Sequence, residues 1–351
     1  MRWPVVVLAA LVALPGAAAA ETLREQSRLD VERRGLDVIE IRNSRGRIDI
    51  SPSTDGRIHL TALKIVRLTS QSRAREVADA IEVETVRSGD RYRVVVHYPE
   101  RMSLRLGFLQ ALSGWESSYE VRIAAQVPPD LSVDAHSSSG EIASDGITAL
   151  QVLGSVSGDV DVRAAGGPVQ LSSTSGKIEA SHLGHGKAST VSGDLIIDGV
   201  HGPLRATSTS GAIRITGADD SLSLSTVSGD IRLDRAPRGL VMRSSSGHLA
   251  ARMTSGLVNA GTVSGDIDLG AREPLRGITA STSSGAIHLM LDDQVRCELD
   301  LHSSSGTLDV GMPIEMHSTT HRAIQGRIRG GSTPVNLRTV SGDITVMGGG
   351  K

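Results

Sequence analysis

Aromatic side chains are nearly missing from this 351-residue chain, which has one Phe, two Trp and three Tyr. None of them lies beyond Tyr119. The long C-terminal part must then fill its core with Ile, Val, Leu and Ala, which suits regular stacking and disfavours an irregular globule. The same scarcity argues against a sugar-cleaving enzyme, because such grooves usually offer aromatic platforms to sugar rings. Cys297 is the only cysteine, so no intramolecular disulfide can hold the fold. It sits in an alternating stretch and is expected to be a small buried apolar residue. The formal net charge is -2, which leaves no electrostatic footprint for nucleic acid.

Long hydrophobic runs are also lacking. Val5 to Leu14 is the main apolar stretch, and it is too short for an ordinary transmembrane helix. With Arg2 before it and Ala18-Ala19-Ala20 ahead of Glu21, it reads as a secretory signal over residues 1–20. The expectation is an exported chain, periplasmic or extracellular, with no integral membrane span after the signal is removed.

What the chain has in quantity is Ser-Gly. Ser139-Gly140-Glu141-Ile142, Ser157-Gly158-Asp159-Val160, Ser175-Gly176-Lys177-Ile178 and Ser192-Gly193-Asp194-Leu195 open a series that runs to Ser341-Gly342-Asp343-Ile344. From Gly140 to Gly265 these glycines recur at steps of 17 or 18; later steps are irregular and include a degenerate Gln325-Gly326-Arg327-Ile328. After each glycine apolar and polar residues alternate, as in Ile213-Arg214-Ile215, which is strand periodicity. A short turn and a second alternating strand complete the unit. Such a unit buries a face only by stacking on its neighbours. The fold class is therefore all-β, a β-solenoid or β-helix over residues 131–351. A small mixed α/β lead-in over residues 21–130 is expected to cap it. In that lead-in Ala74, Val77, Ala78 and Ile81 predict a helix within Ser72 to Val83.

A second period overlies the first. Val156, Val191, Val227, Val263 and Val340 precede corners with Asp after the glycine, whereas Ser138, Thr174, Thr209, Ser245 and Ser283 precede corners without it. This alternation predicts a coil of about 36 residues, two half-units long, in which like corners stack on like.

The signal, the mixed lead-in and the repeated Val-Ser-Gly-Asp-Ile and Ser-Ser-Gly-x-Ile corners together resemble the bacterial DUF4097 family of adhesin-like proteins. The likeness spans nearly the whole mature chain. It implies an exported β-solenoid with an envelope or surface role and brings no catalytic residues.

Asp159, Asp194, Asp230, Asp266 and Asp343 could bind Ca²⁺ if stacked at a strand spacing of about 4.8 Å. The competing role is to accept hydrogen bonds from turn backbone groups. Corner hydroxyls such as Thr226, Ser228, Thr262 and Ser264 are too numerous for one activated nucleophile and fit ladders that close turns. His182 with His185, and His317 with His321, lack an evident third metal ligand. Residues 101–118 hold Leu106, Phe108, Leu109, Leu112 and Trp115, which either pack over the solenoid's end or contact a partner protein or membrane surface. The functional expectation is a noncatalytic protein that binds an envelope or cell-surface protein or glycan. A β-helix enzyme acting on polysaccharide and a part of an envelope-stress system are the alternatives.

Overall fold

The computed structural model describes residues 21–68, 70–99, 118–236 and 238–349. The expected signal over residues 1–20, and Leu106, Phe108, Leu109, Leu112 and Trp115, lie outside them. Among the described residues no helix is long and apolar enough to cross a membrane. The chain divides into two compact units, one up to Gly167 and one from Pro168.

Alternation sets the strands. Ile213–Ile215 is buried, exposed and buried in turn, and Leu222–Ser225 likewise turns Leu222 and Leu224 inward. In the second unit these strands form two parallel ladders. One starts from Leu195 and continues in register: Leu195 pairs with Ile213, Ile213 with Ile231, Ile231 with Leu249 and Leu249 with Ile267. The other runs Leu204, Leu222, Leu240, Val258 and Ile278. Partners in both ladders are 18 positions apart in the chain, except the final pair, Val258 with Ile278. All of these side chains are buried, so the core consists of aliphatic columns with no aromatic member.

These registers correct the expected long coil. One turn of the solenoid takes a single half-unit, and the two corner types alternate along the stack. The reason is visible at the Asp positions. Asp194 Oδ1 accepts the backbone N–H of Ala212 at 2.8 Å, Asp230 Oδ1 that of His248 at 3.1 Å, and Asp266 Oδ1 that of Ala286 at 2.8 Å. Each carboxylate thus binds the next coil's corner, where no Asp stands. Consecutive Asp corners would instead place like charges about 4.8 Å apart.

The end of the second unit does not follow chain order. Thr333–Ser341 pairs with Ile267–Ser284 on one side and Cys297–Ser305 on the other, so the last coil lies between two earlier ones. Gln325-Gly326-Arg327-Ile328 is not a corner at all. It lies within Ala323–Ile328, which pairs antiparallel with Cys297–Ser305 and with Glu315–Thr320. Cys297 is fully buried, as expected, and burial raises its thiol pKa to about 11.

The first unit repeats the theme. Val38–Asn43 pairs in parallel with both Arg91–His97 and Ser132–Ser137, and Ile48–Pro52 with both Ser118–Val127 and Ile142–Asp145. Antiparallel strands are added outside: Ile58–Leu68 pairs with Ser118–Val127 and with Glu21–Val31. The helix spans Gln71–Ala80 and buries Ala74, Val77 and Ala78; Ile81, also buried, caps its C-terminus. Tyr98 Oη donates to Asn43 Oδ1 at 2.7 Å and Arg45 stacks over the Tyr119 ring, so these aromatics cover the Gly46 corner.

Glu40 shows how the first unit handles charge. It is 6% exposed between Arg42 and Arg93, whose Nε atoms lie 3.0 and 2.9 Å from its carboxylate oxygens. Burial pushes its pKa up, but the hydrogen bonds and charges of Arg93 and Arg42 outweigh this and lower it. A lowered folded pKa contributes stability above the unfolded value, near 4.5, and that stability is lost as pH falls through the folded value. Glu40→Gln should therefore cost about 1–2 kcal/mol at pH 7. In urea unfolding across pH, the difference from wild type should shrink as the pH falls below 4.5 and through the lowered folded value.

Candidate functional site

The corner is the first place to look for chemistry, because the motif residues gather there. Its glycine is needed for close approach. A Cβ on Gly229 would overlap the Gly211 carbonyl oxygen one coil away and lie 2.8 Å from its carbon. The hydroxyl three residues before such a glycine points inward and accepts its N–H. Ser208 Oγ takes Gly211 N at 2.8 Å, Thr226 Oγ1 takes Gly229 N at 3.0 Å and Ser244 Oγ takes Gly247 N at 2.8 Å. The ladder of turn-closing hydroxyls thus includes Thr226 but not Ser228 or Ser264, which are exposed. Thr262 is buried at the equivalent inward position, yet the Gly265 N–H there turns to the Ser284 carbonyl oxygen instead. Strand alternation alone does not single out these hydroxyls; their fixed offset of three from each glycine does.

The Asp residues of the second unit are similarly engaged. Asp343 Oδ1 accepts both the backbone N–H and the hydroxyl of Thr307, at 2.7 and 2.8 Å, and these bonds hold its carboxyl below the usual range. Because Asp corners alternate with others, successive carboxylates are about two strand spacings apart, roughly 9.6 Å. Among the described residues no three His, Cys, Asp or Glu side chains are arranged to hold a metal ion, and this covers His182, His185, His317 and His321.

A groove of about 740 Å³ breaks the regular surface of the second unit. It crosses the outer face of Ile231–Ala236, Leu249–Gly261, Ile267–Ser284, Ile287–Leu291 and Ile344–Gly348. One outward row carries Arg232, Ala250, Asp268, His288 and Thr345, each in register with the next. A second row carries Gly270, Met290 and Met347. The depression follows from the small residues in these rows. Ala250 offers only a methyl group, and Gly270 can carry no side chain, because a Cβ there would overlap the Arg252 carbonyl group.

The walls are chemically mixed. His248 Nε2 lies 3.1 Å from Asp268 Oδ2, and an Arg232 guanidinium nitrogen lies 3.0 Å from Asp230 Oδ2. Met290 and Met347 are 58% and 49% exposed, so two thioethers face solvent where outward positions are otherwise mostly polar. Nothing in the repeat announces this groove. Most of its members follow chain order, but Thr345 and Met347 join it because the last coil inserts beside Ile287–Leu291.

A family model described as Toastrack DUF4097 matches residues 36–239 and again residues 235–347. No protein of curated function matches the chain. Among solved structures it is similar to a "putative lipid binding protein" from Parabacteroides distasonis, at 14% identity and a TM-score of 0.37, covering 93% of this chain and 97% of that one. It is also similar to a "putative adhesin" from Bacteroides fragilis, at 12% identity and a TM-score of 0.26, covering 92% and 96%. A "putative cell adhesion protein" from Clostridium sporogenes matches at 11% identity and a TM-score of 0.21, covering 93% and 100%.

Proposed function

Because the chain belongs to the Toastrack DUF4097 family, we propose that it is a noncatalytic, exported, envelope-associated protein that acts by presenting an extended surface to a partner, in the manner of an adhesin. The observation that carries this reading is the use made of the repeat's reactive groups. Ser208, Thr226 and Ser244 close corners, and Asp194, Asp230 and Asp266 bind the backbone of the next coil. A hydroxyl tied to a glycine N–H, with no oriented base beside it, is scaffold and not nucleophile. What such a scaffold offers is a regular, rigid face.

The partner in this reading is an envelope or cell-surface protein or glycan, and the contact includes Leu106, Phe108, Leu109, Leu112 and Trp115. These residues concentrate the apolar side chains of one connection. The test is retention of purified full chain on native envelope fractions. Wild type should be retained, and the Phe108→Ser, Trp115→Ser double variant should lose most of that retention while keeping its circular dichroism spectrum. Turnover of an envelope glycan that a single Asp substitution abolishes in folded protein would contradict the reading.

A further inference from the structure

The two exposed methionines in the groove have a specific arrangement. Met290 and Met347 are register partners on adjacent parallel strands, so their side chains leave the same face about 4.8 Å apart. His288 precedes Met290 by two residues and therefore stands on that face as well. All three line one groove. Among the described residues the His288 imidazole has no hydrogen-bond or ion-pair partner, whereas His248 Nε2 lies 3.1 Å from Asp268 Oδ2. The Asp343 carboxylate feels the charge of His288 but is itself bound to Thr307.

We propose that His288, Met290 and Met347 form a binding site for Cu(I). Two thioethers and an imidazole are a soft, neutral ligand set, and thioethers select Cu(I) over harder ions. Zn²⁺ sites use thiolate, imidazole and carboxylate donors, and Ca²⁺ takes six to eight oxygens. Among the described residues no three His, Cys, Asp or Glu side chains are arranged to meet either requirement. Thioethers need no deprotonation, so only the imidazole competes with protons. The strands hold the two sulfur-bearing side chains side by side before any metal arrives, which lowers the ordering cost of binding. The site is independent of the partner contact proposed above.

The experiment is anaerobic titration of the full chain with Cu(I) against the chromophoric chelator bicinchoninate, joined to copper K-edge absorption spectroscopy. Wild type should withdraw one Cu(I) per chain from the chelator and show a mixed sulfur and nitrogen shell. Met290→Leu with Met347→Leu conserves volume and should leave the fold intact. That double variant should weaken binding by at least about 100-fold, and His288→Gln by at least about tenfold, since losing even an outer-shell partner of a metal ligand costs about 10–100-fold. Met316→Leu removes an exposed methionine outside the groove and should change nothing. Failure of wild type to compete for Cu(I) would overturn the proposal. So would undiminished binding, or a sulfur shell that persists, in the folded double variant.

Discussion

Gly229→Ala is expected to lose about 3 kcal/mol or more of stability, read as a lowered urea midpoint by circular dichroism. The new Cβ would overlap the Gly211 carbonyl oxygen and sit 2.8 Å from its carbon, and both are backbone atoms that no rotamer change can move. Relief requires two coils to part at the corner, which strains the ladder bonds on either side. Thr226 Oγ1, the acceptor of the Gly229 N–H, lies 3.0 Å from the same Cβ, so the corner hydrogen bond is squeezed as well. Gly217→Ala is the matched control. Nothing lies within 4 Å of its Cβ position, so it should be neutral or slightly stabilising, by up to about 1 kcal/mol. Equal effects at Gly229 and Gly217 would remove close approach as the reason for the corner glycine.

Ile231→Ala should cost about 4 kcal/mol, in the upper part of the range for a buried large-to-small change. Ile231 is fully buried and pairs with Ile213 on one side and Leu249 on the other. The cost of such a change depends on how far the surroundings collapse into the space left behind. Here they cannot collapse far, because hydrogen-bonded strands on both sides fix the spacing between coils. Ile231→Val should cost only about 1 kcal/mol. Arg232→Ala, one residue along and on the outer face, should stay within about 0.5 kcal/mol. A small loss for Ile231→Ala would mean that the columns slide or close up, which the registers do not allow.

Much of this architecture is legible in the sequence. Ile213-Arg214-Ile215 and its equivalents show the alternation, and the Ser-Gly series locates the corners. The helix in the lead-in follows from the spacing of Ala74, Val77, Ala78 and Ile81. The second period misleads. Val and Asp recur at every other corner, and this implies a doubled coil only if like corners must stack. The carboxylate of Asp230 instead needs an unlike neighbour, because it binds the backbone N–H at His248. Gln325-Gly326-Arg327-Ile328 misleads for another reason: its residues match a corner pattern, but the antiparallel partners of Ala323–Ile328 place Gly326 within a strand.

The methionine pair of the groove is not legible. Met290 and Met347 become neighbours because Thr333–Ser341 and Ile344–Gly348 insert beside a coil that ended much earlier in the chain. No local pattern encodes that return. The sequence places both methionines at outward positions of alternating strands, but not beside each other.

The central claim is that each turn of the solenoid is a single Ser-Gly unit and that unlike corners stack in succession. Paired cysteines on the outer face test it directly, with dibromobimane, which becomes fluorescent when it bridges two thiols in contact. Cys297 is buried with its pKa raised to about 11, so it should not react. In register, Arg214 lies beside Arg232, and Arg232 lies beside Ala250. Arg214→Cys with Arg232→Cys should therefore bridge readily, whereas Arg214→Cys with Ala250→Cys, about 9.6 Å apart across two strand spacings, should not. The reverse pattern would restore the doubled coil and contradict the account.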